Sequence, residues 1–158
     1  MNIYQNLLSL IGNTPIIKVN KIHTGMSDLY LKLENQNPGG SLKDRIAVYM
    51  VDHAEQQGQL KPGGTIVEAT AGNTGLALAL VAINRGYKLL FVIPDKMSQA
   101  KINHLKAMGA QIVLTRSDVE KGHPEYYQDL AEKLAKDLTN SLYINQFGNP
   151  VNPRAHYE

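Results

Sequence analysis

Cysteine is absent from this 158-residue chain. That excludes a disulfide framework, a thiolate nucleophile and any cysteine-ligated metal, and it fits a reducing, cytoplasmic setting. Residues 1–10 lack a basic stretch followed by an apolar core, so the start does not read as a secretory signal. The longest apolar run, residues 76–83, is too short to span a bilayer. Charge of one sign is also missing: 16 basic and 14 acidic residues are interspersed. Lys101, Lys106 and Arg116 are scattered without aromatic partners, so neither nucleic acid nor an anionic membrane is expected as a partner. The five histidines show no metal-ligand spacing, and His53 and His104 read as lone helix positions. No Gly-x-x-x-x-Gly-Lys-Ser/Thr loop occurs. Gly72-x-x-Gly75 lacks the first glycine of a dinucleotide fingerprint, and no acid ends the strand that follows. Internal repeats and low-complexity segments are absent too.

What is present is a regular alternation. Residues 4–11 could form a short helix, and Gly12-Asn13-Thr14-Pro15 is a turn signal. Residues 16–19 and 29–34 read as strands of a small antiparallel unit, with Leu29, Leu31 and Leu33 on one face. Beyond them the pattern predicts helices over 42–57, 73–84, 98–108 and 124–137. Short strands are predicted over 65–69, 88–93, 111–114 and 142–144. Ser41 and Ser98 are the expected N-caps, and Gly58, Gly86 and Gly109 the stops. Strands apolar on both faces, alternating with helices, predict an α/β fold: three αβα layers around a mainly four-stranded parallel sheet. The strands' C-terminal ends then share one edge, where ligands bind. Residues 146–158 carry two Asn-Pro pairs and no evident packing partner, so the sequence is expected to continue past Glu158.

Two stretches carry chemistry. In Asn37-Pro38-Gly39-Gly40-Ser41-Leu42-Lys43-Asp44-Arg45 a lysine falls in the first turn of a helix, against the positive end of its dipole. It is either a solvated surface lysine or a reactive amine able to form a Schiff base. In Glu68-Ala69-Thr70-Ala71-Gly72-Asn73-Thr74-Gly75 small residues let a ligand approach the backbone, and the next helix points free N–H groups at that space. Capping by Thr70 or Asn73 accounts for one polar group there but not for all three of Thr70, Asn73 and Thr74. The loop therefore reads as an anion site.

Together these blocks resemble those of the cysteine synthase and cystathionine β-synthase family, the fold-type II pyridoxal-phosphate enzymes. The family's Pro-Gly-Gly-Ser-x-Lys-Asp-Arg block is present at Pro38 to Arg45. Its Thr-Ser-Gly-Asn-Thr-Gly loop is present at Thr70 to Gly75 with one change. The stretches Ile11-Gly12-Asn13-Thr14-Pro15, Lys96-Met97-Ser98 and Asn145-Gln146-Phe147 with Asn149-Pro150 also match, in order along the whole chain.

The resemblance implies that Lys43 carries pyridoxal 5′-phosphate as an aldimine and shuttles the substrate's α-proton. It implies that Asn73 binds the cofactor's 3′-oxygen. Thr70, Ala71, Gly72, Asn73 and Thr74 would form the substrate loop, with Gln146 completing a clamp on the amino-acid carboxylate. The implied reaction is β-replacement on O-acetylserine or serine, through an aminoacrylate, with sulfide or a thiol as nucleophile. The alternatives are cysteine breakdown to sulfide, or a non-catalytic fragment. A homodimer is implied for the full-length enzyme.

This chain departs from the family in three places. Ala71 stands where serine is usual, Gln99-Ala100-Lys101 lacks the usual acid, and the chain stops near the middle of the family's length. The phosphate cradle and the pyridine-nitrogen partner lie later in the family. These residues alone are thus expected to hold the cofactor poorly. The implied domains are 1–40 as a contribution to a second domain, 41–145 as the parallel α/β domain, and 146–158 as the crossover onward.

Overall fold

Apolar strands that alternate with capped helices have one economical arrangement, and the computed structural model shows it. The structure describes residues 3–157. Expectations that touch Met1, Asn2 and Glu158 fall outside that span. A 3₁₀ turn, Leu7–Leu10, precedes strand β1 (Ile16–Lys18), which pairs antiparallel with β2 (Tyr30–Lys32). Then come α1 (Lys43–Gln56), β3 (Thr65–Glu68), α2 (Asn73–Arg85), β4 (Lys88–Pro94), α3 (Gln99–Ala107), β5 (Gln111–Thr115), α4 (Tyr127–Asp137), β6 (Ser141–Tyr143) and a short α5 (Val151–Arg154).

The four-stranded sheet runs β5-β4-β3-β6, all parallel. Alternation along the strands divides the core in two. Ile66, Leu89, Phe91 and Ile93 face a layer made by α1, α2 and α3, where Ile46, Met50, Leu78 and Leu105 pack. Val67, Leu90 and Val92 face α4 through Ala131, Leu130 and Leu134. This is the predicted three-layer α/β arrangement. Because β6 returns beside β3, the loops that follow these two strands emerge next to each other on one edge.

Several boundaries differ from the sequence-based expectation. Helix α4 begins at Tyr127, not at 124, because residues 122–125 are used in a turn. There Thr115 Oγ1 donates to the Glu125 carbonyl, and the Gly122 N–H donates to Asp129. Leu42, not Ser41, occupies the N-cap position of α1, although Ser41 Oγ still accepts the Lys43 N–H at 3.2 Å. Ser98 is the N-cap residue of α3, but its side chain makes no capping bond. The stretch after 146 does find a partner in the chain. Val151 is buried, and Val151 and Ala155 join the core layer that contains α1.

Candidate active site

The lysine block is held from behind by a polar network. Glu34 accepts two bonds from the Arg45 guanidinium, at 2.8 and 2.9 Å, and one from Thr14 Oγ1 at 2.6 Å. Lys32 donates to the Thr14 carbonyl at 2.5 Å and to its hydroxyl. Asn37 receives the Gly12 N–H at 2.8 Å and donates to the Ser41 carbonyl at 3.1 Å. The Gly12–Pro15 turn, the β1–β2 hairpin and the start of α1 are thereby joined. The Arg45 guanidinium holds the Glu34 carboxyl down at about 2.

A depressed carboxyl contributes stability that is present above its ordinary value and is lost as pH falls through the folded value. Replacing Arg45 by methionine should therefore destabilise the protein at pH 7 by about 1–3 kcal/mol, because Glu34 keeps its charge and loses its two guanidinium bonds. The gap in melting temperature from wild type should narrow as pH is lowered from 4.5 towards 2.

Lys43 is the first residue of α1 and is half-buried. Among the described residues its amine makes no ion pair or hydrogen bond. The next residue, Asp44, turns inward, is 1% exposed and accepts the Gly39 N–H at 2.5 Å. Gly39 and Pro38 lie beside Leu76 and Leu80 of α2, so the lysine loop abuts the helix that follows the asparagine loop.

At the end of β3 the chain passes through Ala69, Thr70 and Ala71 to Gly72, the N-cap residue of α2. Gly72 supplies no side-chain cap, so the first N–H groups of α2 stay available to an anion. Thr70 Oγ1 accepts the Gly72 N–H at 3.2 Å and shapes the turn. Thr74 is buried and its hydroxyl donates to Gln146 Oε1 at 2.5 Å, which joins the asparagine loop to the segment after β6. A cavity of about 380 Å³ opens at this edge, with Ala69, Thr70, Ala71, Gln146, Tyr127 and Phe147 among its walls.

The structure thus brings Thr70, Ala71, Thr74 and Gln146 together. Lys43 and Asn73 are not among the residues lining that cavity. Asn73 is exposed at the first position of α2, and its side chain is without a partner among the described residues. Two polar side chains with unused bonding capacity, one of them a half-buried amine, fit an imine-forming cofactor.

The family model described as pyridoxal-phosphate dependent enzyme matches residues 7–158. The chain belongs to this family. Family relatives include the cystathionine beta-synthase of Apis mellifera, 47% identical over 99% of this chain and 32% of that protein. The cysteine synthase of Staphylococcus aureus (strain N315) is 47% identical over 96% of this chain and 48% of that one. Among solved family structures, a hydrogen sulfide-producing enzyme from Fusobacterium nucleatum superposes with a TM-score of 0.89 at 40% identity, covering all of this chain and 51% of that one. O-ureido-L-serine synthase gives 0.90 at 38% identity, over 98% and 48%. The chain therefore spans about a third to a half of the length of the family members it matches, and its fold is that of the N-terminal part of the fold-type II enzymes.

One residue that the sequence reading passed over is Glu68. It ends β3, is 1% exposed, and accepts the Ala69 N–H at 2.8 Å and the Gln146 N–H at 3.1 Å. The available signal was an acid closing an otherwise apolar strand.

Proposed function

We propose that the intact protein catalyses β-replacement on an activated serine, O-acetylserine or serine, with sulfide or a thiol, forming cysteine or cystathionine. The observation that carries this is the unpartnered, half-buried Lys43, on a loop packed against the helix whose N-terminus opens beside Thr70, Thr74 and Gln146. Pyridoxal phosphate, when bound, supplies the electron sink that makes the substrate's α-proton removable. Lys43 would hold the cofactor covalently and take that proton from the α-carbon. Asn73 would donate to the cofactor's 3′-oxygen. Thr70, Gly72 and Thr74, with Gln146, bind the substrate carboxylate at the α2 N-terminus. The β-substituent would leave with its electron pair, the thiol would add at the β-carbon and give up its proton, and Lys43 would return a proton to the α-carbon.

The N-terminal hairpin belongs with a second domain. Ile16, Ile17, Tyr30 and Leu31 on its two strands are all exposed, which supports an apolar partner for them. Residues 41–145 carry the parallel sheet of the α/β domain, and the segment after 146, which packs on its α1 layer through Val151 and Ala155, is the proposed crossover to the second domain. A cytoplasmic homodimer is the proposed state of the whole protein. Among the described residues no helix is long and apolar enough to cross a membrane.

Ala71 favours a second reading within the same chemistry, in which cysteine is broken down to sulfide. Its methyl group lines the cavity where the family usually places a serine hydroxyl. Intact protein should be offered O-acetylserine, serine and cysteine, each with sulfide or homocysteine, and the products weighed by mass spectrometry. Cysteine or cystathionine from a serine-type donor supports replacement. Sulfide released fastest from cysteine supports breakdown. No conversion of any donor, without absorbance near about 410 nm, rejects both.

A further inference from the structure

Glu68 is a buried acid that the proposed chemistry does not use. Its neighbours in β3, Ile66 and Val67, show what an ordinary buried strand residue looks like. Its two oxygens accept main-chain N–H groups from its own loop and from a segment 78 residues further along the chain: Ala69, which opens the asparagine loop, and Gln146, which receives the Thr74 hydroxyl. One carboxylate therefore ties both walls of the proposed carboxylate clamp. No cation pairs with it among the described residues. Tyr127 of α4 and Tyr143 of β6 feel its charge, and Asp129 and Glu132 of α4 act on Tyr143 from the same side. Phe91 of β4 is its register partner on the other flank. Among the described residues, the groups that favour a negative charge there are main-chain N–H groups, those of Ala69, Gln146 and Asn145.

We propose that Glu68 is the positioning residue of the substrate clamp, holding Gln146 and the Ala69–Gly72 turn in one geometry only when both of its oxygens act as acceptors. This role presupposes the amino-acid carboxylate site described above and deepens it. A neutral carboxylic acid offers one strong acceptor and a hydroxyl, so protonation frees one of the two walls. Burial pushes the Glu68 carboxyl up to about 7. The switch between one and two acceptors therefore falls near neutral pH.

The sign for stability is opposite to that for binding. A carboxyl raised from 4.5 to about 7 on folding binds more protons in the folded chain across that interval. Its ionisation therefore lowers stability as pH rises through it.

The test uses the intact, cofactor-loaded protein and L-alanine, an amino acid with no leaving group. Its dissociation constant and the protein's melting temperature are measured at pH 6 and pH 8. For wild type the constant should be about fivefold larger at pH 6, the equivalent of one hydrogen bond. E68Q should bind at both pH values as wild type does at pH 6. E68Q should also melt higher than wild type at pH 8, with the difference shrinking at pH 6. Turnover at saturating substrate should be nearly unchanged in E68Q, while KM rises. Glu68→Asp keeps the charge but withdraws it by one methylene, and should weaken binding at both pH values.

A wild-type constant that is flat from pH 6 to pH 8 overturns the role of Glu68. So does an E68Q profile that copies wild type while turnover is intact. Wild type that fails to bind alanine or turn over any serine donor overturns the carboxylate clamp itself, and Glu68 with it.

Discussion

Replacing Lys43 by alanine in the intact protein is expected to lower turnover by at least about three orders of magnitude, while the melting temperature of the cofactor-free protein barely moves. The two halves of that expectation have separate causes. Lys43 begins α1, but the buried residues of that helix are Asp44, Ile46, Ala47, Met50, Val51 and Ala54, and Lys43 is not among them. Its amine makes no bond to another described residue, so truncation leaves no orphaned partner behind. Alanine is also the better helix former. Substitutions of this kind usually stay within about 0.5 kcal/mol.

Catalysis has no such reserve. Covalent attachment of the cofactor and movement of the α-proton both require an amine at that position, and the two residues that follow, Asp44 and Arg45, are committed to Gly39 and to Glu34. Absorbance near about 410 nm should vanish along with activity. A variant that retains both would show that Lys43 is an ordinary surface lysine, and a variant that loses activity only because it unfolds would be exposed by its melting curve.

How much of this was legible in the sequence depends on the kind of signal each element carries. The sheet was legible, because β3, β4 and β5 are short apolar runs bounded by glycine and proline, and the helices predicted over 42–57 and 124–137 carry an apolar stripe at helical spacing, with Ile46, Met50 and Ala54 on one and Leu130 and Leu134 on the other. Gly86, predicted as the stop of the second apolar helix, sits at φ 74° as a left-handed C-cap. The start of α4 was not legible, because Pro124 is a common first-turn residue and the competing turn is made by a distant strand residue, Thr115. The docking of residues 151–155 on the α1 layer was missed for a similar reason. Two Asn-Pro pairs look like loop punctuation, and only tertiary contact with Val151 makes the segment part of the core.

At the site, residue types and spacing singled out the lysine and the asparagine loop. They could not reveal that Thr74 would spend its hydroxyl on Gln146, or that Glu68 would turn inward to join them, because both depend on β6 lying next to β3. Strand order is set by packing across the whole sheet and leaves no mark at residue 68.

Gly39→Ala should be the most damaging of the glycine substitutions in the lysine loop, and the reason lies in Asp44. A methyl group on Gly39 would place its carbon 2.9 Å from the Asp44 carboxylate carbon, well inside contact distance. Asp44 cannot yield cheaply. One of its oxygens takes the Gly39 N–H, and the other, Oδ1, is buried without a hydrogen-bond partner among the described residues. Burial already pushes the Asp44 carboxyl upward from its ordinary value. Displacing it breaks the single bond that offsets this cost and moves the backbone one residue from Lys43. The expected loss of stability is about 1–3 kcal/mol.

The loss of turnover should be larger in proportion, on the order of a hundredfold, since an error of about 1 Å in a catalytic group has that effect. Gly40→Ala is the matched control. Its added carbon meets nothing within 4 Å, but φ there is +78°, so it should cost about 1 kcal/mol of backbone strain and much less turnover. Measured side by side by thermal melting and kcat, the two variants separate collision with Asp44 from strain in the loop. If Gly39→Ala and Gly40→Ala prove equally mild, Asp44 does not set the position of Lys43.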